Sequence, residues 1–144
     1  MIARHLMSIT AGAVGLFFAV FQVRSLFDFG FWEPKEGYHL FEVKSDYYAG
    51  KRSENVYVET KNTKTGEPSG IASTYADRVL LHVSARKVIY SFPPKLMMAF
   101  LKSDCPECRY LAQAGDKNSA GYLLPLSTLE SLPFTKTIRY EPES

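Results

Sequence analysis

The sequence predicts an α+β fold: a single N-terminal transmembrane helix followed by a small, mainly antiparallel β-sheet domain with two or three short helices. Three observations carry this expectation. Leu6–Val23 (LMSITAGAVGLFFAVFQV) is a run of 18 residues without a charged side chain. Residues 39–44, 55–60, 78–92 and 135–140 alternate or are β-branched and apolar, as strands do. Short stretches beginning at Asp104 and Ser127 carry helix-start signals.

The apolar run would make about 27 Å of helix at ~1.5 Å per residue, close to a hydrocarbon core of ~30 Å. Arg4 and Arg24 bracket it and can reach the interfaces, and Phe27, Phe29, Phe31 and Trp32 fit an interfacial aromatic belt. A water-exposed helix would show a polar face, whereas here only Ser8, Thr10 and Gln22 interrupt the run. Residues 1–32 therefore read as a membrane anchor with its aromatic segment, and residues 33–144 as one compact domain. A cleaved signal peptide, through Val23-Arg24-Ser25, and a buried core helix compete with this reading, and an import signal shares the Arg-bearing, acid-poor start. A short basic tail ahead of an apolar run has the signal-anchor form. The expectation is a single-pass protein with its domain outside the cytoplasm, in a bacterial or organelle inner membrane.

Within the domain, Glu33–Gly37 (EPKEG) is a polar connector and His39–Lys44 a strand. Asn55–Thr60 places Val56 and Val58 on one face, Tyr57 and Glu59 on the other. Lys61–Gly70 is a loop rich in turn residues. Arg78–Val83 and Lys87–Phe92 form a hairpin or one bent strand, and Lys95–Lys102 suits either a short helix or a buried strand. Asp104 is placed to cap a helix running through Leu111 to Gly115, with Pro106 in its first turn and Glu107 three residues after the cap. Ser127 and Glu130 have capping-box spacing for one or two turns closed by Pro133, and Thr135–Tyr140 is a last strand.

Net charge is +2, and residues 33–144 hold 15 basic and 14 acidic side chains without a basic stripe, so nucleic acid is not expected as a partner. No phosphate-binding glycine loop, dinucleotide fingerprint or calcium loop occurs, and no cofactor or metal is expected.

The chemistry concentrates on Cys105-Pro-Glu-Cys108. At the start of the expected helix both thiols share a face, and the helix dipole would favour a thiolate, opposed by Asp104 and Glu107 and helped by Arg109. A structural disulfide, a redox pair and two packed thiols are all compatible with this spacing. The surrounding stretch, KLMMAFLKSDCPECRYLA, locally resembles the active-site strand, turn and helix of thioredoxin-like proteins, which implies a redox dithiol at Cys105 and Cys108. It departs from that family in having Asp104 before the first cysteine. The residues after Cys108 are too few to reach the family's cis-proline, so the resemblance does not extend to the whole fold. His39 and His82 would complete a Cys2His2 zinc set only if distant strands met the pair. Ser84 and Lys87 have the S-x-x-K spacing of Ser–Lys hydrolases, but on a strand such positions point to opposite faces.

Most of the nine tyrosines and ten phenylalanines read as core or sheet-face residues. Tyr47, Tyr48 and Tyr57 lie in polar surroundings and are the candidates for an exposed interaction patch. Two functions follow as expectations. The first is a non-catalytic accessory or interaction protein, a small subunit of a larger membrane assembly whose partners are the lipid bilayer and other membrane-associated proteins. The alternative is a membrane-tethered thiol–disulfide protein using Cys105 and Cys108.

Overall fold

The most apolar alternating stretches of the chain become its central strands. The structure, a computed structural model, describes residues 4–11, 16–23, 27–103, 105–114 and 118–141, with side-chain surroundings from residue 28 onward except at Phe31. The strands are β1 (Arg4–Ala11), β2 (Leu16–Val23), β3 (Phe27–Glu33), β4 (Gly37–Ser45), β5 (Asn55–Asn62), β6 (Arg78–Val83), β7 (Val88–Phe92), β8 (Arg109–Leu111), β9 (Ser119–Pro125) and β10 (Lys136–Arg139). Among the described residues two α-helices accompany them, α1 (Pro94–Ser103) and α2 (Leu126–Ser131). One sheet runs β1-β2-β3-β4-β6-β7-β10 and a smaller one β5-β9-β8. Among the described residues all strand pairings are antiparallel except β4 with β6, so the architecture is α+β with mixed sheets and few helices. The expected transmembrane span Leu6–Val23 lies in part outside the described residues, which omit 12–15, and β1 and β2 are described by backbone alone. Among the described residues no helix is long and apolar enough to cross a membrane.

The β6–β7 pair is a hairpin. Val79, Leu81 and Val83 are buried opposite Phe92, Tyr90 and Val88, which are buried too. A 3-10 turn at Ser84–Arg86 joins the strands, and Lys87 reverses the chain at φ 53°. Arg78 locks this pair to its neighbour. Its Nε donates to Ser91 Oγ (2.6 Å) and its Nη2 to the carbonyls of Ser91 (2.8 Å) and Phe134 (3.3 Å). The small sheet, α1 and α2 add Val56, Val58, Leu124, Met97, Leu101, Leu126 and Leu129 to the same core. Burying such a side chain stabilises by roughly 1.5–3 kcal/mol.

Lys95–Lys102 resolves as helix: Pro94 opens it where no N–H is needed, and Met97 and Leu101, four apart, face the core. The connector Glu33–Gly37 is the turn between β3 and β4, with Gly37 at φ +80°. The aromatic segment expected at the membrane interface lies on β3, where Phe29 stacks on Phe41 with ring centroids 5.0 Å apart.

Two local expectations are corrected. The helix expected from Cys105 through Leu111 to Gly115 does not form among the described residues. Cys105–Cys108 is a turn, the Cys108 N–H donating to the Cys105 carbonyl (3.1 Å), and Arg109–Leu111 then pairs with β9 as β8. Asp104, the expected cap, lies outside the described residues. The capping box at Ser127 is not made either, because α2 starts one residue earlier. The Leu126 N–H donates to the Glu54 carbonyl (2.9 Å), and Glu130 instead accepts from the hydroxyl of the buried Tyr90 (2.7 Å) and from Arg139 (3.2 Å).

Candidate functional site

Tyr47, Tyr48 and Tyr57 line one cleft of about 400 Å³ between the end of β4, the middle of β5 and the turn at Gly70–Ile71. Its apolar floor comes from Val58, Ile71, Val79, Leu81 and Phe92, and its polar wall from Lys44, Asp46 and Glu59. Cavities of this size with a few convergent polar groups are the usual form of binding sites.

Asp46 builds the cleft. Its backbone N–H donates to the His82 carbonyl (2.9 Å), fixing the end of β4 to β6. Its Oδ1 accepts the N–H groups of Tyr48 and Ala49 (2.9 Å each), and its Oδ2 accepts that of Tyr57 (3.3 Å). One carboxylate thus ties the Tyr47–Ala49 loop to β5. The loop then closes on itself: the Tyr48 carbonyl accepts from Lys51, Arg52 and Ser53 N–H groups (3.1, 2.8 and 3.2 Å). Gly50 sits at φ +75°, a left-handed conformation that residues with a Cβ rarely adopt, and a Cβ there would also displace the Arg86 side chain (2.7 Å from Cγ). Fully buried Ala49 plugs the loop into the core, while Tyr47 and Tyr48 stay 68% and 62% exposed. The Arg52 guanidinium sits over the Tyr48 ring, 5.3 Å from its centroid.

Tyr57 is held differently. Its hydroxyl shares a hydrogen bond with Ser119 Oγ (3.1 Å). Burial, first of all, pushes its phenol above the ordinary range; the bond to Ser119 acts against this, and the charge of Glu59 adds to it. Lys44 pairs with Glu42 (3.0 Å) at the cleft's outer edge.

The cysteines lie elsewhere. Cys105 and Cys108 sit at disulfide distance, their Cα atoms 5.1 Å apart, half-buried against the core. The turn follows the C-terminal end of α1 rather than opening a helix, so the helix dipole does not favour a thiolate there. Glu107 within the turn accepts from the Thr128 hydroxyl (3.0 Å), fastening it to α2.

The remaining sequence candidates separate. His82 lies beside Tyr140, its Nε2 bonded to the phenol oxygen, and the cysteines are bonded to each other, so no Cys2His2 set assembles among the described residues. His39 is on β4 beside Glu33 and Glu36. Ser84 and Lys87 close the β6–β7 turn, the Lys87 N–H donating to the Ser84 carbonyl (3.1 Å). Sequence reasoning missed Asp46. The available signal was an Asp at a strand end whose carboxylate can reach the N–H groups two and three residues ahead, as in an Asx-turn.

Comparison with protein-family models, with curated proteins and with solved structures finds no match.

Proposed function

We propose that this chain is a membrane-anchored, non-catalytic interaction protein, a small subunit of a larger membrane-associated assembly, and that the Tyr47–Tyr48–Tyr57 cleft receives a protein partner. The observation that carries the reading is the cleft's construction: a carboxylate-braced loop holds two large aromatic side chains in solvent beside an apolar floor. Tyrosines fixed in this way contribute contact area at low entropic cost, and they are enriched where proteins meet. Asp46, the acidic group best placed for chemistry, is committed to three backbone N–H groups. The anchor rests on the uncharged apolar sequence of Leu6–Val23 and draws nothing from the backbone of β1 and β2. The disulfide supports placing the domain in an oxidising, extracytoplasmic compartment of a bacterial or organelle inner membrane.

The test is purification from mild detergent of the untruncated chain and of a Tyr47→Ala/Tyr48→Ala double variant. Both residues are exposed, so the variant keeps its thermal transition while the co-purifying partner is lost. Equal recovery of the partner would refute the cleft reading, and release of the intact chain by alkaline carbonate would refute the anchor.

A second reading, a membrane-tethered thiol–disulfide protein, draws on the half-buried pair at Cys105 and Cys108. It requires a reduction potential near or above about −270 mV, whereas structural disulfides lie below about −300 mV. The position after the end of α1 favours the structural range.

A further inference from the structure

The geometry points to a divalent-cation site, suited to zinc, formed by Glu33, Glu36 and His39 at the turn of the β3–β4 hairpin. The pairing register explains how the three side chains meet. Glu33 pairs with Gly37 and Phe31 with His39, so Glu33 and His39 lie diagonally on one face of the two-stranded ribbon. Glu36 precedes His39 by three residues in the turn and reaches the same spot.

One ligand atom from each residue falls within 4.8 Å of the other two. The His39 Nε2 is 3.6 Å from Glu33 Oε2 and 3.5 Å from Glu36 Oε2. These separations are long for charge-assisted hydrogen bonds, which run about 2.7–2.9 Å. Both lie within ion-pair reach and close to the spacing around a shared ion, where bonds of about 2.1 Å in tetrahedral arrangement put neighbouring ligand atoms about 3.4 Å apart.

The chemistry of the donors agrees. Two carboxylates balance a doubly charged ion, and an imidazole beside them suits zinc better than magnesium or calcium, which take six or more oxygens. The site is graded in exposure. The His39 Nε2 atom is shielded from solvent, whereas the Glu36 side chain is 65% exposed, so an ion could enter from the turn and keep water or a partner's side chain at its fourth position. Three protein ligands with an open position is also how zinc is held where it must bind something further. A bound ion would clamp the hairpin next to the N-terminal segment. The competing arrangement is His39 paired with the two carboxylates with no ion.

The experiment is a titration of the untagged, full-length chain in detergent with Zn2+ alone, followed by calorimetry and by competition with a chromophoric chelator, and repeated with Mg2+. The expected result is one saturable zinc site per chain and no comparable magnesium binding. Loss of an outer-shell partner alone weakens such sites by about 10–100-fold, so His39→Ala should weaken zinc binding at least about tenfold. Glu36→Gln, on an exposed turn where the fold is not at risk, should weaken it several-fold, and Cys105→Ser/Cys108→Ser should leave it unchanged. Absence of saturable binding overturns the site, as does binding indifferent to both His39→Ala and Glu36→Gln, or binding lost with the cysteines.

Discussion

Replacing Asp46 by alanine removes the acceptor for three N–H groups at once, and the three are not equivalent. The N–H of Tyr48 is exposed, so water replaces the carboxylate at a cost of about 0.5 kcal/mol. Ala49 is fully buried and its N–H has no such substitute, which costs about 1–2 kcal/mol. The bond to Tyr57 is longer, 3.3 Å, and half-buried, and contributes about 0.5–1 kcal/mol. Asp46→Ala should therefore destabilise the domain by about 2–3.5 kcal/mol. Asp46→Asn is the informative companion. Its carbonyl oxygen can still serve Tyr48 and Ala49, but its amide then faces the Tyr57 N–H, donor against donor, and the loss should be about 1 kcal/mol. Urea denaturation of the full chain in detergent gives the two energies. Hydrogen exchange locates them: the Ala49 amide should lose protection only in the alanine variant, the Tyr57 amide in both. An alanine variant within about 0.5 kcal/mol of the parent, the ordinary scatter of a surface substitution, would refute this account of the cleft. So would an Ala49 amide that stays protected.

Burial raises the Tyr90 phenol above its ordinary range, and Glu130, as hydrogen-bond acceptor and as a charge, adds to the shift. Its folded pKa exceeds the unfolded value of about 10, so its contribution is complete below that pH and is lost as pH climbs toward the folded value, with a slope approaching about 1.4 kcal/mol per pH unit. Tyr90→Phe should show a shallower alkaline decline in stability than the parent; an unchanged slope would contradict the burial argument. Reducing Cys105–Cys108 frees a very short loop, so the chain-entropy cost is at most about 2 kcal/mol and the circular dichroism spectrum should be retained. Unfolding on reduction alone would show that the pair holds more than its own turn.

Where the chain alternates cleanly its structure was legible. Val56 and Val58 turn inward and Tyr57 and Glu59 outward, as their spacing requires, and the residues of β6 and β7 face the core in step. The strand β9 was not legible, because Ser119, Ala120 and Gly121 are small rather than alternating. A Cβ at Gly121 would lie 2.1 Å from the Val58 carbonyl, so close approach to β5 dictates the composition and erases the pattern. The Cys-Pro-Glu-Cys segment misled for another reason. Proline early in a helix and proline in a turn look alike locally, and the pairing of Arg109–Leu111 with β9, a tertiary event, decides between them. Of the cleft, the tyrosines could be picked out by their polar surroundings, but what brings them together is Asp46 and a parallel β4–β6 pairing that no local pattern encodes.

The order of synthesis bears on β5. It leaves the larger sheet after β4 and pairs with β9, so that Thr60 meets the carbonyl of Ala120 across a sequence separation of 60. A ribosome therefore extrudes β6, β7, α1 and β8 while β5 still waits for its neighbour, its Val56 and Val58 side chains without the lid they will later have. Contacts so distant along the chain close slowly. Through that interval a nascent chain exposes an unpaired, β-branched strand, and an unpaired strand edge is where other chains can join.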